Sequence, residues 1–136
     1  PRYRVLDHTA DSAVLARGAT PAEACANAAF AMFDLTFELE GLEPHVRREV
    51  EASGETPAEA LVAWLSELLA IAEIEDLVFV EFTVADAGGT VVRGRARGVP
   101  AAGLELKGPP IKAVTHHDVA FEPDAGGWSV RVIFDV

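Results

Sequence analysis

Apolar positions recur at helical spacing in one long stretch of the chain: Leu61, Trp64, Leu65, Leu68, Leu69 and Ala72 share one side, while Glu59, Glu67 and Glu73 fall elsewhere. That periodicity predicts a helix from about Pro57 to Glu75. Its start is marked by Thr56-Pro57-Ala58-Glu59, and the same pattern recurs at Thr20-Pro21-Ala22-Glu23. In such a capping box the Thr hydroxyl and the Glu carboxylate satisfy backbone donors that the first turn leaves open, and Pro suits the first helical position. A shorter helix is therefore expected from Pro21 to about Asp34, with Phe30, Met32 and Phe33 as core residues rather than a ligand pocket. The shared Thr-Pro-Ala-Glu-Ala hints at two similar strand–helix units. Five residues do not establish a duplication.

The rest of the pattern has a period of two. Val46, Arg48, Val50 and Ala52 alternate with Arg47, Glu49 and Glu51, the signature of a strand. Short strands are expected at Tyr3–Leu6 and Val14–Arg17. Leu77–Ala85 and Val91–Arg97 form a hairpin across Asp86-Ala87-Gly88-Gly89, and Ile111–Glu122 and Trp128–Phe134 form another across Pro123-Asp124-Ala125-Gly126-Gly127. Gly98–Pro110, rich in Gly and Pro, reads as a loop. Strands and helices are grouped rather than regularly alternating. The expected class is α+β, a single domain over residues 1–136 with two helices packed on a largely antiparallel sheet.

Composition agrees. With 136 residues, half of them apolar and 24% charged, the chain can bury one core. Its longest apolar runs reach only about six residues against the roughly 20 that a membrane-spanning helix needs. The opening residues Pro1–Asp7 lack the apolar core of a signal peptide, so a cytoplasmic location is expected. Charge changes the picture more. Residues 1–76 carry 5 basic and 15 acidic side chains and residues 77–136 carry 6 and 7, for a total of −11. That balance argues against independent binding of nucleic acid, which draws most of its affinity from basic contacts to phosphates. It suits a cation or a basic partner protein, and it also serves solubility.

Three clusters could carry chemistry: Asp7-His8-Thr9-Ala10-Asp11 between the first two strands, His116-His117-Asp118 on the expected late strand, and Asp135-Val136. Carboxylates with main-chain oxygens make a hard-oxygen environment suited to Ca²⁺ or Mg²⁺, whereas imidazoles would favour zinc. Adjacent His116 and His117 point to opposite faces of a regular strand and cannot both serve one metal. Spacing alone leaves open whether the paired Asp residues are ligands or a turn device. Cys25, the only cysteine, sits among alanines and is expected to be an inert buried thiol. Arg93, Arg95 and Arg97 line one face of a strand, either as a solvated face or as a docking surface for an acidic partner. No nucleophile elbow, phosphate loop or His-Glu-x-x-His pair is present.

Taken together, these segments resemble one family. Asp7-His8-Thr9-Ala10-Asp11 is similar to the N-terminal Asp/Glu-His-Thr-Ala-Asp motif of the archeases, and Ile111–Thr115 with Trp128–Val136 looks like their C-terminus, which closes on Asp and an aliphatic residue. Trp64-Leu65-Ser66-Glu67-Leu68-Leu69 and Leu77-Val78-Phe79 follow in the right order between them. His116 stands where the family usually has Tyr.

The resemblance implies an accessory protein, not an enzyme. Such a protein activates a GTP-dependent RNA-splicing ligase in tRNA processing, promoting guanylylation of the ligase histidine and multiple turnover. It also implies a divalent metal, usually calcium with Mg²⁺ as the other candidate, held by Asp11, Asp135 and Val136. His8 and Lys112 are then expected at the ligase-facing surface. The competing reading is a small metal-dependent hydrolase using Asp11, Asp135 and His8 or His117; a plain interaction module is a third. A hydrolase needs an open coordination position and a placed base.

Overall fold

A computed structural model describes residues 1–6 and 12–136. Its elements, in chain order, are β1 (Tyr3–Leu6), β2 (Ser12–Gly18), α1 (Pro21–Asp34), β3 (Val46–Ser53), α2 (Pro57–Glu75), β4 (Leu77–Asp86), β5 (Val91–Pro100), β6 (Ala113–Val114), β7 (Ala120–Asp124) and β8 (Gly127–Asp135).

Both helices begin as their sequences require, and in nearly the same geometry. Thr20 has φ −130° and ψ 162°, and Thr56 has −131° and 162°. Each hydroxyl accepts the N–H of Glu23 or Glu59 at 3.1 Å. The two carboxylates reach back one residue beyond the cap, to the N–H of Ala19 at 3.3 Å and of Glu55 at 3.1 Å. Gly18 and Gly54 abut these first turns. A Cβ at Gly18 would lie 2.4 Å from the Ala24 nitrogen, and one at Gly54 would lie 2.6 Å from the Ala60 nitrogen. The strand–cap–helix unit suggested by five shared residues is thus realised twice.

The expected antiparallel sheet is divided in two, and every strand pairing in both is antiparallel. One sheet runs β1-β2-β8, with β6 and β7 both on the far side of β8; the other runs β3-β5-β4. Each helix packs against strands of both sheets: α1 against β2, β8 and β4, and α2 mainly against β3, β5 and β4 with further contact to β6 and β7. A helix covered on two sides needs apolar residues around most of its girth. Small ones let the sheets approach, which accounts for the buried Ala24, Cys25, Ala28, Ala29 and Ala31 of α1. Met32 and Phe33 are also buried, as expected; Phe33 meets Phe79 edge-on at 5.7 Å and stacks on Phe82 at 5.8 Å. On α2, fully buried Trp64 donates its Nε1–H to the Val50 carbonyl at 3.1 Å, and glycine at position 94 of β5 makes room for its ring.

Two expectations are corrected. Gly98–Pro100 belongs to β5, so the loop begins only at Ala101. Ile111–Glu122 is not a continuous strand, and His116-His117-Asp118 does not lie on one. Six residue steps lead from Val114 to Ala120, while β8 takes three between their partners, Phe134 and Arg131. The surplus is looped outward, with Asp118 in the left-handed region at φ 51°. The hairpin beyond it forms as expected, through Ala125 and Gly126 at φ 45° and 84°, the backbone of a type I′ turn.

Candidate metal and partner site

Strand β8 is central in its sheet and anchored by buried Val130, Val132, Ile133 and Phe134, so its last residues emerge at a defined place. There Asp135 is exposed and Val136 half-buried. The N–H of Lys112 donates to the Asp135 carbonyl at 2.7 Å, which brings three of the five expected site residues, Lys112, Asp135 and Val136, to one edge. Asp11 and His8 lie outside the described residues. The β2–β8 register runs up to Ser12 opposite Phe134, the chain neighbours of Asp11 and Asp135.

Asp135 offers an exposed carboxylate that makes no ion pair among the described residues, and no thiol or imidazole is bonded to it. Among the described residues no three His, Cys, Asp or Glu side chains cluster as a metal site. His117 sits in the exposed turn, its Nε2 3.3 Å from the Asp118 carboxylate, and its N–H donates to the Thr115 hydroxyl.

Other candidates resolve differently. Cys25 is buried and its thiol is pushed up to about 12, which keeps it protonated and unreactive. Arg95 is paired with Glu49 at 2.8 Å and Arg97 with Glu81 at 3.1 Å, while Arg93 stands between Glu51 and Asp86 on the neighbouring strands. Much of the arginine stripe is thus neutralised within its own sheet.

Sequence reasoning missed a groove of about 420 Å³ between the C-terminal ends of α1 and α2. Met32, Phe33, Leu69 and Ala72 line it from the helices, and Leu106 and Ile111 from the segment before β6. One local signal was available: no residue but Asp76 separates α2 from β4, and so abrupt a reversal calls for a left-handed cap. Asp76 supplies it, at φ 56°.

The fold and this edge define a class: a small α+β domain with its helices enclosed between antiparallel sheets and an acidic strand end presented to solvent. No helix among the described residues is long and apolar enough to cross a membrane. The chain belongs to the archease family, whose model, the Archease protein family (MTH1598/TM1083), matches residues 3–136. It is 35% identical to the archease of Methanosarcina mazei, over 99% of this chain and 96% of that one. It is likewise 35% identical to the archease of Methanopyrus kandleri, over 98% and 99%. The solution structure of Methanobacterium thermoautotrophicum protein 1598 superposes with a TM-score of 0.85 at 31% identity, covering 99% of both chains. An archease from Thermotoga maritima, described as a possible chaperone, shares the fold at a TM-score of 0.64, with 19% identity over 96% of this chain and 94% of that one.

Proposed function

We propose that this chain is a cytoplasmic accessory protein that activates a GTP-dependent RNA-splicing ligase, and that it is not itself the enzyme. The observation that carries the reading is the meeting of Lys112, Asp135 and Val136 at the end of β8, in a chain whose whole length matches the archease family. Asp11, Asp135 and a main-chain oxygen of Val136 are the residues that would hold a divalent cation, Ca²⁺ or Mg²⁺. A cation bound there would offset the repulsion between the two carboxylates and supply positive charge at an otherwise acidic edge. Lys112, whose backbone N–H is bonded to Asp135, and His8 are the residues we propose to face the ligase. Guanylylation depends on a nucleophile, a nucleotide and divalent ions held in line, and small displacements cost large factors in rate. An acidic partner that favours the aligned ligase conformation would raise that rate without contributing a nucleophile.

The test incubates radiolabelled GTP with the ligase, with and without this chain, followed by denaturing separation. Stimulated labelling of the ligase and no label on this chain is expected. Asp135→Ala should lose most of the stimulation while staying folded, because buried Val132 and Phe134 still anchor β8. Full stimulation by that variant would remove the metal from the reading. Hydrolysis without ligase would favour the competing reading.

A further inference from the structure

The groove between the helix ends combines an apolar floor with a negative rim. Both helices point their C-termini toward it, and neither has a basic residue in its last turn; Lys107 and Arg48 reach in from other segments to pair with Asp34 and Glu75. Glu73 and Asp76 stand on the rim at the end of α2, and neither makes an ion pair among the described residues. Leu106, on the lip, is 58% exposed and so available to an apolar side chain entering the groove. Lys112 closes one end of the groove, and its N–H is bonded to Asp135, so the groove is continuous with the proposed ligase-facing edge.

We infer that this groove receives a segment of the partner ligase in which an apolar side chain is followed within a turn by Lys or Arg. The inference rests on the activator reading and adds to it the chemistry of the contact. The apolar anchor displaces water from the floor against Leu106, and the cation meets Glu73, Asp76 and the negative helix ends. A second copy of this chain is a poorer occupant, since two copies would each bring a net charge of −11.

The experiment measures binding of the full chain to the ligase across a salt series, with circular dichroism and thermal unfolding to verify folding. Leu106→Glu changes an exposed position and should weaken binding about tenfold. Glu73→Lys should weaken it about fivefold and flatten its salt dependence, with no loss of thermal stability. Glu51→Ala, on the outer face of the other sheet, should stay within about twofold of wild type. Wild-type binding shared unchanged by Leu106→Glu and Glu73→Lys would overturn the groove and leave the activator reading standing. Absence of wild-type binding would overturn both. A dimer of this chain that Leu106→Glu converts to monomer would assign the groove to a second copy and overturn the inference.

Discussion

The two ends of each helix are built on opposite terms. At the N-terminal ends, every device is local and satisfied: a Thr hydroxyl, a Glu carboxylate and an abutting glycine, repeated with cap angles that agree within one degree. At the C-terminal ends the pairing is incomplete: Asp34 and Glu75 meet Lys107 and Arg48, Glu73 and Asp76 make no ion pair among the described residues, and two helices and a loop enclose an apolar groove that they do not fill. The N-terminal ends look made for folding. At the end of α2, Glu73 and Asp76 stand against the negative end of the helix, and the cation of the proposed partner segment would offset that repulsion.

The largest expected effect tests whether the N-terminal ends are equivalent. Gly18→Ala and Gly54→Ala each drive a Cβ to within 2.4 or 2.6 Å of helix backbone, which cannot swing aside as a side chain can. Each should cost about 3 kcal/mol, the upper part of the range for overpacking, read from urea unfolding. A large loss at one position and none at the other would break the equivalence of the two units.

A smaller effect sharpens the same point. Thr20→Ala and Thr56→Ala remove caps that both accept at 3.1 Å, so each should cost about 1 kcal/mol. The two losses should agree closely, and the double variant should show their sum, since the caps belong to different helices.

These caps were legible from a handful of residues because capping is chemistry between neighbours in the chain. Strand period and hairpin turns were legible for the same reason. The division into two sheets was not, since it depends on strands distant in the chain, such as β4 and β8, packing against the same helix α1. The late strand reads as continuous because Val114-Thr115 and Val119 flank the polar His116-His117-Asp118 with strand-forming residues, and only the pairing with β8 reveals three residues too many. At the candidate site, composition offered Asp135 within one of three acidic or imidazole clusters, and the resemblance singled out both it and Lys112. Neither could show that the Lys112 N–H binds the Asp135 carbonyl, a contact between β8 and the segment leading into β6. The groove was least legible of all, since its walls come from four separate parts of the chain.

The smallest effect lies within one helix end, where two glutamates two residues apart have opposite standing. Arg48 hydrogen-bonds Glu75 and holds its carboxyl below the usual 4.5. A carboxyl depressed in the folded state contributes stability above its ordinary range, and that contribution is lost as pH falls through the lower folded value. Glu75→Gln should therefore be slightly less stable than wild type at pH 7, and the gap should close in acid. Glu73 has no such partner among the described residues and faces the negative end of α2. Glu73→Lys puts a cation where the dipole favours one, so stability at pH 7 should rise by about 0.5 kcal/mol. Urea unfolding of both variants at pH 7 and pH 3 measures the contrast. Should Glu73→Lys lose stability instead, Glu73 would be part of the framework like the caps, and the two ends of α2 would no longer differ in kind.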